Sequence, residues 1–133
     1  MQFTRLAIPD VVVIEPKRIG DSRGSFSEIF RLDRFTAEIG AVGFVQENQS
    51  RSALKGTIRG LHFQREPHAQ GKLVKVTKGA VLDVAVDIRV GSPWFGKFEA
   101  VELAADSSRQ LWVPPGFLHG FCTLTDNVEL AYK

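Results

Sequence analysis

Cysteine is almost absent: Cys122 is alone in 133 residues, which excludes an intramolecular disulfide. Its apolar neighbours Phe121 and Leu124 mark it as a buried thiol rather than a nucleophile, and a reducing, cytoplasmic location is expected. Long apolar runs are missing too. Nothing approaches the roughly 20 residues that a membrane-spanning helix needs, and "MQFTRLAIPD" lacks the apolar centre of a signal peptide. The 17 Lys and Arg residues barely outnumber the 15 Asp and Glu, and they are scattered, so no basic stripe exists to track a nucleic-acid backbone. Isolated arginines remain able to grip a small anion, because the guanidinium fork meets phosphate oxygens two at a time.

Missing motifs narrow the chemistry further. No His-x-His pair occurs: His62 and His68 are six residues apart in "LHFQREPH" with a proline between them, and His119 is the third histidine. Three imidazoles could converge in space as ligands, but the spacing is not that of the usual metal site, and neither a metal nor another cofactor is expected. No Gly-x-Ser-x-Gly elbow offers an activated serine. General acid–base chemistry is left, and it needs a base near neutral pKa, an acid, and a cation where negative charge develops.

What is present is a folding chain of β type. A composition of 44% hydrophobic and 24% charged residues lies far from the signature of disorder, and 133 residues suit one domain with one core. Short β-branched and aromatic runs recur between Gly, Pro and Asp: "DVVVIEP", "GSFSEIF", "GFVQENQS", "TIRGLHFQ", "KLVKVTKG", "AVLDVAVDIR", "KFEAVELA", "RQLWVPPG", "FLHGFCTL" and "VELAYK". Ten such strands predict an antiparallel sandwich or barrel. Only "RLDRFTAEIG", residues 31–40, has helical period, with Leu32, Phe35 and Ile39 on one face and Gly40 as its stop.

Strand parity, in which successive side chains point to opposite faces, singles out particular residues. Lys72 shares a face with Val74 and Val76, where it either aims inward or snorkels its ammonium to water; Tyr132 ends the face of Val128 and Leu130. In "AVLDVAVDIR" one face carries Leu82, Val84, Val86 and Ile88 and the other Val81, Asp83, Ala85 and Asp87, so both sides are largely apolar. Such a strand lies between two layers, the second of which could be another subunit. Asp83 then needs a partner, with Lys72, His119 and an arginine as the candidates, because an unpaired buried carboxylate costs several kcal/mol. In "GTIRGLHFQ", strict alternation sends Arg59 and His62 to opposite faces; a bulge or bend at Gly60 would bring them together.

Four segments are specific enough to carry a likeness: "GDSRGSFSEIF" at 20–30, "FVQENQSRS" at 44–52, "RGLHFQREPHAQGKLVKVTKGAVLDVAVDIRVGSPWFGKF" at 59–98 and "QLWVPPGFLHGFCTL" at 110–124. They closely resemble the dTDP-4-dehydrorhamnose 3,5-epimerase family of the cupin superfamily, in order and almost without gaps. The resemblance implies a single cupin jelly-roll domain over 1–133, a homodimer formed by exchange of N-terminal strands, and metal-independent inversion of carbons 3 and 5 of a dTDP-linked 4-keto-6-deoxyhexose in dTDP-L-rhamnose biosynthesis. On this chain the resemblance makes His62 the base, Tyr132 the acid on the opposite face of the sugar, and Lys72 the cation near the 4-keto oxygen, with Asp83 and His119 in support. For the nucleotide it implies Arg23, Phe26, Glu28, Gln46, Glu47, Asn48 and Arg59, the arginines on the diphosphate and the segment around 23–28 coming from the partner subunit.

The sequence departs from the family pattern at Glu47, where aspartate is usual, and at Gln49, where histidine is frequent. The family also continues past the tyrosine motif with an aspartate that partners the catalytic histidine and an aromatic that stacks on thymine. The sequence stops at Lys133, and low activity is therefore expected of these residues alone. Two other readings use the same residues: epimerisation at one carbon only, and nucleotide-sugar binding without catalysis.

Overall fold

A computed structural model describes all residues, 1–133. Twelve strands and one helix run in the order β1 (Gln2–Arg5), β2 (Val12–Glu15), β3 (Arg18–Asp21), β4 (Gly24–Ser27), α1 (Leu32–Glu38), β5 (Asn48–Ser52), β6 (Ile58–His62), β7 (Lys72–Lys78), β8 (Ala80–Asp87), β9 (Phe98–Ala104), β10 (Gln110–Val113), β11 (Phe117–Thr123) and β12 (Val128–Tyr132). A six-stranded sheet has the order β1-β2-β10-β7-β12-β5 and a four-stranded sheet the order β6-β11-β8-β9, while β3 and β4 form a hairpin of their own. Every strand pair is antiparallel. No helix is long and apolar enough to cross a membrane.

Alternation explains why these runs became strands. On β7 Val74 and Val76 are buried, and on β12 Val128 and Leu130; all four join one core with Val81 and Ala85 of β8, Leu103 of β9 and Phe117 and Phe121 of β11. The two sheets therefore face each other across shared apolar side chains, which is the antiparallel layering that the strand pattern predicts and the jelly-roll class that the resemblance implies. Each fully buried Val or Leu on these faces contributes about 1.5–3 kcal/mol of hydrophobic stabilisation relative to an exposed one.

The far side of the six-stranded sheet is covered by α1. Phe35 packs there with Val12, Ile14, Leu73 and Trp112, its ring edge-on to Trp112 at a centroid distance of 5.3 Å. The helix ends as predicted: Ile39 and Gly40 donate their N–H groups to Phe35 and Thr36 carbonyls, and Gly40 turns the chain at φ +118. Leu32, however, is 58% exposed, so the apolar face is narrower than the spacing predicts. The wide apolar contact of this layer comes instead from Phe30 and Phe44, which flank the helix and pack on Phe35.

The outer side of the four-stranded sheet is uncovered. Val81, Asp83, Ala85 and Asp87 of β8 are all buried, whereas Leu82 on the opposite face is 38% exposed and is joined there by Ile58, Leu61 and Phe98. Cys122 belongs to this outer face and is only half buried, because Phe121 beside it takes the inward position; the expectation of a buried thiol does not hold. Two strands lie outside the ten predicted, β1 and β3. Their four-residue segments "QFTR" and "RIGD" are mostly exposed, so pairing to β2 and β4 defines them rather than burial.

Candidate active site

A cleft of about 500 Å³ opens between the two sheets and is lined by Ser50, Arg59, His62, Lys72, His119, Phe121 and Tyr132, among others. Arg59 and His62 come from β6, His119 and Phe121 from β11, Lys72 from β7, Tyr132 from β12 and Ser50 from β5. His62 thus projects from the four-stranded sheet, while Lys72 and Tyr132 project from the six-stranded one.

Gly60 resolves the conflict of parity. His119 pairs with His62 but Phe121 pairs with Arg59, so two residues of β6, Gly60 and Leu61, oppose Gly120 alone on β11 and the register shifts there. That bulge puts Arg59 and His62 on one face. The backbone there has φ +117, and a Cβ on Gly60 would lie 2.7 Å from the Gly120 Cα and 2.8 Å from the His119 carbonyl oxygen. Gly120 is equally constrained, since its Cβ would meet the Arg59 carbonyl oxygen at 2.6 Å. Two facing glycines are what let the strands approach this closely.

Hydrogen bonds fix the charged groups. Arg59 donates from Nε to Ser52 Oγ at 3.1 Å and from Nη2 to the Arg51 carbonyl at 2.9 Å, which aims the guanidinium along the cleft wall. Asp83 is fully buried, and both its oxygens lie near His119 Nε2, at 2.8 and 3.0 Å. Burial pushes the Asp83 carboxyl up, against the pull of the His119 hydrogen bond and the nearby Lys72 charge. Burial likewise pushes the Lys72 ammonium down, and the Asp83 charge offsets part of that. Of the candidates for Asp83's partner, then, His119 is the hydrogen-bonded one and Lys72 the more distant charge. Lys72 aims inward, with Nζ 5.9 Å from the centroid of the Tyr132 ring.

A second hollow of about 380 Å³ adjoins the cleft, shares Lys72 and Tyr132 with it, and is lined by Gln46, Asn48, Phe44 and Trp112 as well. Gln46 Nε2 donates to Asn48 Oδ1 at 2.8 Å. Glu47 does not line the hollow itself but pairs at 3.1 Å with Lys133, which does. Arg23 and Phe26 sit on the β3–β4 hairpin, beside a separate groove with Asp21, and Glu28 is exposed just beyond β4. Within one chain these three residues do not meet the cleft. Arg23 is instead held by Asp21, through Nε and Nη2, the latter at 2.6 Å. His68 lies in the loop after β6, and no group of three or more His, Cys, Asp or Glu side chains is arranged to hold a metal ion.

Ser50, Ser52 and Phe121 were not among the residues the sequence singled out. The signal for Ser50 was available, since it shares the parity of Asn48 on a strand predicted as far as residue 50, whereas Ser52 lies beyond that predicted end and the observed strand runs on to include it.

Two facing antiparallel sheets around a cleft with imidazole, phenol, ammonium and guanidinium groups define a jelly-roll protein equipped for proton transfer on an anionic ligand. The model of the family described as dTDP-4-dehydrorhamnose 3,5-epimerase matches residues 5–133, and the chain belongs to that family. It is 54% identical over 133 residues to the dTDP-4-dehydrorhamnose 3,5-epimerase of Sinorhizobium fredii, covering 100% of this chain and 68% of that one. Among solved structures it is similar to dTDP-6-deoxy-D-glucose-3,5-epimerase from Legionella pneumophila in complex with dTDP-4-keto-L-rhamnose, with TM-score 0.93, 47% identity and coverage of 99% and 70% of the two chains. It is also similar to a 3'-monoepimerase from Streptomyces bikiniensis in complex with dTDP-quinovose, with TM-score 0.89, 35% identity and coverage of 96% and 65%.

Proposed function

We propose that the protein inverts carbons 3 and 5 of a dTDP-linked 4-keto-6-deoxyhexose, with His62 as base, Tyr132 as acid and Lys72 as the cation at the 4-keto oxygen. One observation carries these roles: His62 and Tyr132 line the same cleft from opposite sheets. Inversion requires a proton to leave one face of the sugar and arrive on the other, which two groups across a cleft can do and one group cannot. Carbons 3 and 5 both flank the ketone, so either deprotonation gives an enolate with its charge on the same oxygen. One ammonium then serves both steps. Lys72 suits that place because it reaches into the cleft from β7, and the Asp83 carboxylate beside it favours the ammonium, offsetting part of the cost of burying it.

Acid–base catalysis contributes typically about 10²–10⁴-fold, or about 3–5 kcal/mol, so enolate stabilisation and positioning have to supply the rest. Arg59, Gln46 and Asn48 read as nucleotide contacts next to the reacting centre, and binding there holds the sugar still for proton transfer. Arg23, Phe26, Glu28 and Glu47 complete the reading. For the first three it requires a homodimer whose β3–β4 hairpin reaches the neighbouring cleft, and the bare apolar face of the four-stranded sheet supports a second copy as partner. On the same reading residues 1–133 form one jelly-roll domain acting in the cytoplasm, where a lone thiol stays reduced.

Incubation with the 4-keto sugar nucleotide in deuterated water, reading carbons 3 and 5 separately, tests the proposal. Deuterium at both carbons is expected, and His62→Asn should slow it by about 10²–10⁴-fold. Exchange at one carbon would replace the assignment with a single-carbon epimerase. Binding of dTDP with no exchange would make the protein a binding module.

A further inference from the structure

Ser50 Oγ is the one buried side-chain oxygen or nitrogen that has no hydrogen-bond partner. Buried polar groups are otherwise paired, so an orphan hydroxyl calls for a reason. Its position supplies one. Ser50 lines the cleft beside Arg59, His62, Lys72, His119 and Tyr132, on β5 at the edge of the six-stranded sheet. It faces Leu130 across the ladder, two residues along β5 from Asn48, which pairs with Tyr132. Ser52, two residues further on the same face, has its hydroxyl engaged by Arg59. Ser52 therefore holds the guanidinium, and the Ser50 hydroxyl between Ser52 and the Tyr132 register is unengaged. Rotation about χ1 redirects a serine hydroxyl without moving its strand.

We propose that Ser50 is a substrate-positioning residue whose hydroxyl takes its hydrogen bond from, or gives it to, an oxygen of the bound hexose between Arg59 and Tyr132. The inference rests on the epimerase reading of the cleft. It accounts for a polar group that the fold alone leaves unsatisfied, because the partner arrives with the ligand. Removing the hydroxyl should then leave the fold unharmed while weakening the hold on the sugar. A hydroxyl with a structural bond would behave in the reverse way, its loss costing stability first.

The test compares wild-type protein with Ser50→Ala in three measurements: thermal unfolding without ligand, dTDP binding by calorimetry, and turnover of the 4-keto sugar nucleotide. The expected result is an unchanged or higher Tm, unchanged dTDP affinity, and kcat/KM lower by about 2- to 12-fold, the worth of one hydrogen bond. Unchanged kcat/KM overturns the inference. So does a lower Tm alongside the loss of activity, which would make the hydroxyl structural, and so does an equal loss of dTDP affinity, which would place the contact on the nucleotide. Wild-type protein that exchanges neither carbon would overturn the epimerase reading and Ser50's role with it; wild-type activity beside an unaffected variant overturns Ser50's role alone.

Discussion

At the scale of single residues, the cleft depends on side chains that are absent. Gly60 carries the bulge that turns Arg59 and His62 to one side, and it does so at a positive φ with the Gly120 Cα directly behind it. An alanine there would strain the backbone and push β6 off β11. Gly60→Ala should destabilise the fold by about 2 kcal/mol or more and abolish exchange at both carbons, as read by denaturant unfolding and the deuterium assay. Gly43→Ala is the matched control, since a Cβ there meets nothing within 4 Å and the backbone is not at positive φ. Equal behaviour of the two variants would remove the bulge from the account of the site. Polar residues in the same cleft show a comparable division of labour: Ser52 aims Arg59, His119 satisfies Asp83, and Asp83 in turn supplies the charge felt by Lys72.

At the scale of elements, the β3–β4 hairpin stands apart: it pairs with neither main sheet, and Phe26 and Ile19 on it are 70% and 60% exposed. If it serves the neighbouring copy's cleft, two different inactive variants should complement. A mixture of Arg23→Ala and His62→Asn protein, unfolded and refolded together, should regain up to about a quarter of wild-type activity, because half of the dimers are mixed and one of the two clefts in each is intact. No gain over the separate variants would assign the hairpin to its own chain. The elements also show where the sequence was informative. Burial alternates along β8, and Val74 and Val76 of β7 share a buried face, so those strands, their inward faces and the need of Asp83 for a partner could be read from neighbours in sequence. Which group met Asp83, whether Arg59 shared a side with His62, and the existence of β1 and β3 depend on cross-strand register, which joins residues far apart in the chain. Function was legible by another route: the roles of His62, Tyr132 and Lys72 came from resemblance, and parity alone left Lys72 undecided between cleft and solvent.

At the scale of the whole molecule, two buried carboxylates on β8 pull stability in opposite directions as pH changes. Burial alone raises the Asp87 carboxyl, but hydrogen bonds from Arg89 and Ser92 outweigh it and lower the group from 3.8 to about 2. The same arginine reaches Asp10 at 2.8 Å, so the network joins the end of β8 to the segment before β2. A depressed carboxylate stabilises the fold above its unfolded value and loses that contribution as pH falls through the folded value. For Asp87 the window runs from about pH 4 down to about pH 2, and the loss is about 2 kcal/mol. Asp83 has the opposite sign: its raised pKa makes the folded state bind the extra proton just above pH 3.8, so its contribution falls as pH rises there. Denaturant unfolding of wild-type and Asp87→Asn protein at a series of pH values separates the two. The variant should be less stable by about 2 kcal/mol at neutral pH, and the two curves should converge toward pH 2 as the wild-type carboxylate becomes protonated. Curves that stay parallel across the acid range would show that the Asp87–Arg89 pair does not carry the acid response.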